Sequence, residues 1–398
     1  MELIKLKNLA TRNEVRIDNH KEYKSQPQYF YESLRNAFGF YFNTFIIKNA
    51  SYDFYANATS RDKKKSLKIL EHQFLDEENT VLSIVSFERF FELFIKDLLK
   101  KTNLKLSQSE DHKAKSKSTW DIIKKIQSKS FKPFIPIEEK GIHSTPFRET
   151  LKRFYDLITY SKDPTKDSNR LVKKFAETIQ RFGFLDNNNC RATFEFINWY
   201  RDRILHSGNK LPTMRFLDFI VTQRIIPIVN KILTADNEIP ADWLYFTRTI
   251  SGINILETMM TLKFEATNQK NSKRIAETFN TLLFIAHLKE LGRANMNMNN
   301  AVRNNNATYE YNYGNPIGRG ERFALIEKEK HPKAIEIKKC PCCAGQSLVL
   351  YRISGKELPM FSNENIEWIK CYVCEYHLRN NVFDLHYFDK SFEKFFDY

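Results

Sequence analysis

No apolar run in the 398-residue chain approaches the roughly 20 residues needed to span a bilayer. Stretches such as FNTFII (42–47) are the longest it has, so no membrane partner is expected. The start, MELIKLKNLATRNE, lacks an apolar core of signal-peptide length, and a cytoplasmic, reducing location is the expectation. A phosphate-cradling G-x-x-x-x-G-K-[ST] loop is also missing, which argues against an intrinsic ATPase. No internal repeat has the period of a solenoid. Cysteine is nearly absent outside the last 60 residues, which hold five of the six, largely at C-x-x-C spacing. That distribution suits a metal better than a disulfide framework. Acidic residues are in deficit, 48 against 63 Lys and Arg, giving a net charge of +15. A positive field of this size concentrates polyanions at the surface and makes RNA or DNA the expected partner. With 42% hydrophobic and 28% charged residues, the composition excludes a disordered chain.

What is present is mostly helical periodicity. Apolar residues recur at helical spacing over 28–49 and most strongly over 78–101, where Glu77, Glu78 and Asn79 suit a helix start and Lys96, Lys100 and Lys101 the negative end of its dipole. Further helices are predicted over 147–162, 168–183, 189–206, 213–234, 241–268 and 271–292. Between them, SQSEDHKAKSKST (107–119) reads as a solvated loop and KPFIPIEEKGIHSTP (132–146) as an irregular connection. The Asn- and Gly-rich stretch 294–320 reads as a linker. After it the period shifts towards two, and KAIEIKKCPCC, SLVLYRI and EWIKCYVC read as short strands.

Those strands carry the cysteines. Cys340 and Cys343 form one C-x-x-C pair and Cys371 and Cys374 another, with 27 residues between the pairs. Two such pairs supply four thiolates to a tetrahedron, the geometry of a closed structural zinc site. The pattern resembles a zinc ribbon, with one zinc per chain as its cofactor. Cys342 and His377 are the competing ligands, and Lys338, Lys339, Tyr372 and Tyr376 are candidates for touching nucleic acid from the ribbon.

A second constellation lies in NWYRDRILHSGNK (198–210). Phe194, Ile197, Ile204 and Leu205 form a helical apolar stripe, and Arg201 falls on it. An Arg on a buried face is costly unless paired or lining a polar cleft. His206 precedes Ser207 and Gly208, a helix stop that sets the imidazole at the negative end of the dipole, and Asp202 follows the Arg directly. The other histidines show no usable spacing. RDRILHSG resembles the signature of HEPN domains, in which ribonuclease members carry Arg, then Asn, Asp or His, three further residues, and His. SFERFFELFIKDLLKK (86–101) is similar to the first long HEPN helix, whose inward acidic residue supports the motif Arg; Glu92 is the expected supporter and Glu88 the runner-up. The resemblance covers roughly residues 78 to 234.

The resemblance implies a mainly α fold: a HEPN helical bundle with additional helices and a small C-terminal β zinc ribbon. The expected organisation is an N-terminal region of unknown role (1–75), a HEPN-like domain (76–234) with an insertion near 103–146, a helical extension (235–293), a linker (294–334) and the ribbon (335–398). It also implies a metal-independent endoribonuclease that works as a homodimer with a composite site, in phage defence or toxin-type growth control, with a protein regulator or antitoxin as a further partner. Arg201 would stabilise phosphate charge, His206 would move the proton, and Asp202 and Glu92 would align them. The alternative function is a non-catalytic dimeric module that binds nucleic acid or protein through the ribbon.

Overall fold

The computed structural model describes residues 29–44, 77–111, 116, 118–134, 145–207, 211–236, 249–250, 253–264, 281–282, 284–296, 316–352 and 366–379. The fold is mainly helical, with a small antiparallel sheet near the C-terminus. Its axis is α2 (Glu77–Thr102), in which Phe87, Phe90, Phe91, Phe94, Ile95, Leu98 and Leu99 are all buried. Their steps of three and four residues lay a wide apolar band around the helix, so neighbours must cover it on more than one side. Those neighbours are α1 (Tyr29–Asn43), α4 (Phe147–Ser161), α5 (Arg170–Ile179) and α6 (Asn188–Ser207). Aromatic contacts set the seams: Phe38 meets Phe87 edge-on at 5.2 Å, and Phe91 meets Phe194 of α6 at 4.7 Å.

The insertion is more ordered than its composition predicts. A 3-10 turn covers Leu104–Ser107 and α3 covers Thr119–Gln127, started by a capping box in which Ser118 and Asp121 exchange side-chain and backbone bonds. The fully buried guanidinium of Arg153 on α4 donates to the carbonyls of Leu106 and Gln108 at 2.9 and 2.8 Å, tying the insertion to the bundle. A helix as short as α3, set among Lys and Ser, offers too few turns to register as a period.

The helix predicted over 213–234 is three consecutive pieces: α7 (Met214–Ile220), a π turn (Val221–Ile225) and α8 (Ile226–Ala235). Pro227 cannot donate to the carbonyl four residues earlier and its ring crowds that carbonyl, so the ladder widens before it. The single helix expected over 241–268 is also corrected. Thr249–Ile250 (β1) pairs with Ile253–Asn254 (β2), and only α9 (Ile255–Thr261) is helical there among the described residues. TISGIN places turn-forming Ser and Gly between β-branched residues, which outweighs the helical spacing around it.

Residues 284–296 are helical, within and just beyond the expected 271–292. The predicted linker, 294–334, contains α10 (Pro316–Lys330), which packs on the sheet. Its glycines suggest a loop, yet a Cβ on Gly320 would lie 2.3 Å from Val373 Cγ2 and 2.9 Å from the Tyr372 carbonyl oxygen. The glycine there permits close packing. The sheet runs β3 (Ala334–Lys339), β4 (Gln346–Arg352), β5 (Ile366–Cys371) and β6 (His377–Arg379), antiparallel in sequence order. Residues 1–28 and 380–398, within the outermost expected regions, lie outside the described residues. No helix among the described residues is long and apolar enough to cross a membrane.

Candidate active site and metal centre

Helix α6 carries Arg201, Asp202 and His206. At about 100° per residue, Arg201 lies on the same side as buried Ile197 and Ile204, as the stripe predicts. Its side chain is 27% exposed, so it lines the edge of the core. Nη2 donates to Glu88 Oε1 at 2.9 Å and Nη1 to Asp202 Oδ1 at 2.6 Å. Leu205, expected on the buried stripe, is 56% exposed in the last turn of the helix.

The supporting carboxylate is therefore Glu88, not Glu92. Both lie on the face of α2 that meets α6, one turn apart, but Glu92 is taken by Lys96 one turn further on and lies 3.6 Å from Arg89. A lysine that is itself buried needs that carboxylate more than a partly exposed Arg does. Burial raises the Glu88 carboxyl above its usual range, and the neighbouring charges of Glu92 and Asp202 add to this while Arg201 opposes it. Burial pulls the Arg201 guanidinium down, but its hydrogen bond to Glu88 and the surrounding carboxylates outweigh that and raise it.

His206 is exposed in the last turn of α6. It lies five positions after Arg201, which turns the two side chains about 140° apart and offsets them about 7.5 Å along the axis. Asp202 sits between them in angle and holds Arg201. Arg203 lies over the Trp199 ring at 5.2 Å. The spacing 199, 202, 203, 206 puts Trp199 on the His206 face, a signal readable in the sequence from the helical period alone.

The four cysteines do come together. Cys340, Cys343, Cys371 and Cys374 are buried and their sulfurs all lie within 4.8 Å of one another. Cys340 and Cys374 are 3.6 Å apart, as are Cys343 and Cys371. Sulfurs about 2.3 Å from a tetrahedral ion sit about 3.8 Å from each other, whereas a disulfide would bring a pair to about 2.05 Å. The donor set thus fits a metal ion.

The two knuckles are built alike. Ala344 and Glu375, each directly after a second cysteine, have φ of 59° and 60°. The N–H of Cys340 donates to the Gly345 carbonyl and that of Cys371 to the Tyr376 carbonyl, both at 2.8 Å. Left-handed backbone at a non-glycine residue is disfavoured, and the reversal it permits aims both cysteines of a pair at one point. Val373 N–H donates to Cys371 Sγ at 3.4 Å and Ser347 Oγ lies 3.1 Å from the same sulfur. Of the competing ligands, Cys342 adjoins Cys340 and Cys374 without joining the mutually close group of four, and the His377 ring meets Trp368 edge-on at 5.6 Å.

Of the ribbon residues expected at a nucleic-acid surface, Tyr376 is fully buried, its hydroxyl 2.8 Å from His287 Nε2. It anchors the ribbon to the 284–296 helix. Tyr372 is half-buried with its hydroxyl 2.7 Å from that of Tyr351; Lys338 lies 3.7 Å from Glu336, and Lys339 is exposed. Compared with protein-family models, curated proteins and solved structures, the chain matches none.

Proposed function

We propose that the chain is a HEPN-type endoribonuclease that cleaves RNA without a catalytic metal. The observation that carries this reading is the held Arg201, fixed by buried Glu88 and by Asp202 with its guanidinium at the surface, on a helix whose last turn presents His206. In the reaction, the 2′-oxygen attacks the adjacent phosphorus, the P–O5′ bond breaks, and a 2′,3′-cyclic phosphate and a 5′-hydroxyl result. A base must take the 2′-hydroxyl proton and an acid must supply one to the 5′-oxygen. Imidazole suits either role, worth roughly 10²- to 10⁴-fold. A guanidinium fork matches the phosphoryl oxygens and stabilises their added charge. The divergence of Arg201 and His206 around α6 supports a composite site in which a homodimer supplies the missing group of each half. In the ribbon the four thiolates suit one structural zinc per chain, and they complete its shell. A role in phage defence or growth control follows from the family resemblance alone.

One observation favours the non-catalytic alternative: both terminal nitrogens of Arg201 already bind carboxylates, as in a purely structural ion pair. The separating experiment incubates the full chain, with Arg201→Ala and His206→Ala beside it, with single-stranded RNA in EDTA and tests products for cyclic phosphate ends. Wild type should cleave and both variants should lose activity by at least 10²-fold, the lower end of acid–base contributions. Equal cleavage by all three, or none by wild type, overturns the enzyme reading. Metal analysis should return about one zinc per chain, and zinc retained by Cys371→Ser/Cys374→Ser would overturn the ligand set.

A further inference from the structure

Trp199 is half exposed, at 50%, and among the described residues it is the one tryptophan in the open. Fixing a side chain of this size at the surface forgoes much of the 150–250 Å² it would bury in a core. Its inner side is fixed by an aromatic floor. Phe196 and Tyr200 each lie 5.9 Å from it, Phe196 and Tyr200 stack on each other at 5.4 Å, and Phe216 of α7 meets both edge-on. The apolar hollow beneath, lined by Ile84, Phe87, Phe216 and neighbours, measures about 20 Å³. That is room for one water, so no base can enter it. Any ring that meets this cluster must lie on the outer surface of Trp199.

The charge around the indole selects the visitor. Arg203, one turn on, places its guanidinium 5.2 Å from the ring. The acids on this side of α6 are already neutralised, Glu195 by Arg191 at 2.9 Å and Asp202 by Arg201. Among the described residues Arg203 has no carboxylate partner, so the face is net positive on a chain that carries +15 overall. An exposed indole beside a stacking guanidinium matches an unpaired nucleobase with its phosphate: bases stack on aromatic rings and on Arg planes, and the strand's charge is met by the Arg. Trp199, Arg203 and His206 share one stripe, at successive steps of four and three residues, with Trp199 about 10 Å from His206 along the axis.

From this geometry we infer that the outer face of α6 is a base-stacking subsite for single-stranded RNA, Trp199 receiving a base and Arg203 its phosphate, so that a strand at His206 passes over the indole. The inference takes its ligand class from the ribonuclease reading. It does not need turnover, and the test uses a strand that cannot be cut.

A fluorescent oligoribonucleotide with 2′-O-methyl groups throughout is titrated into the full chain and into Trp199→Ala, Trp199→Phe and Arg203→Ala, with sedimentation of each protein measured in parallel. Trp199→Ala should weaken binding about 10- to 100-fold, the loss of one base–aromatic stack, while Trp199→Phe stays within a few-fold of wild type. Removing single bases along the strand should find a position that costs wild type affinity and costs Trp199→Ala nothing further. Unchanged binding by Trp199→Ala overturns the inference. So does an affinity loss accompanied by a changed sedimentation coefficient, which would make Trp199 part of a protein–protein contact. Trp199-dependent binding with no cleavage of unmodified RNA would sink the ribonuclease reading alone, and cleavage with Trp199-independent binding would sink the subsite alone.

Discussion

At Arg201 two carboxylates one turn apart compete for one guanidinium, and the structure assigns Glu88 to Arg201 and Glu92 to Lys96. The helical period shows that both acids share one face of α2 but cannot choose between them, because the choice depends on an axial offset of about 6 Å between two packed helices. On the proposed ribonuclease reading the consequence is specific. Glu88→Gln removes a charge-assisted bond worth about 1.5–3 kcal/mol and should lower kcat/KM by about 10- to 100-fold. Glu92→Gln should leave kcat/KM within a few-fold, its loss falling on stability through Lys96. Steady-state kinetics and denaturation of both variants check this; a larger kinetic defect in Glu92→Gln would reverse the assignment. The residue readings that failed share a cause. Leu205 and Tyr376 were placed by local pattern, yet one is exposed and the other buried because of what packs beside them.

Among the elements, α10 shows why composition misleads where packing decides. Its glycines made 294–334 read as a linker, but Gly320 lets the helix lie against the backbone of the second cysteine knuckle. Gly320→Ala would force a Cβ into Tyr372 and Val373, a cost of about 1–3 kcal/mol for overpacking. The variant should melt at lower denaturant and, loaded with zinc, should release it to a competing chelator faster than wild type. Unchanged release would mean that α10 does not brace the knuckle. The second knuckle is braced from the other side as well. Arg293 of the 284–296 helix donates to the Glu375 carbonyl at 2.6 Å, and the His377 N–H donates to Glu290 at 2.8 Å.

Across the whole molecule, that same 284–296 helix joins ribbon to bundle with buried polar groups. Lys289 pairs with Asp218 of α7, donates to Thr44 at 3.1 Å and lies 4.4 Å over the Tyr41 ring. His287, fully buried against Tyr376, is pushed down to about 3 by burial. The unfolded chain takes up this proton below about pH 6.5, while the folded chain refuses it until about pH 3. Stability linked to His287 is therefore complete above the unfolded value and falls as pH drops through that window, by at most about 1.4 kcal/mol per pH unit. Urea midpoints of wild type should fall more steeply between pH 6 and 4 than those of His287→Gln. Comparing the two cancels the opposite slope of Asp218 and Glu290, whose carboxyls burial raises. Equal slopes would show that His287 takes up its proton as readily in the folded chain as in the unfolded one.

The sequence by itself determined the four-thiolate set, because C-x-x-C pairs on short strands leave few other ways to use four cysteines. It determined α2 and α6 too, whose long apolar periods no local signal contradicts, and with α6 the placement of Arg201 inward and His206 at its end. Only the tertiary structure decided which acid holds Arg201, that α10 is a helix, that Tyr376 is an anchor, and that Trp199 stands half exposed. Spacing along a chain sets the angle at which a side chain leaves its element, but what it meets there depends on how elements distant in sequence cross.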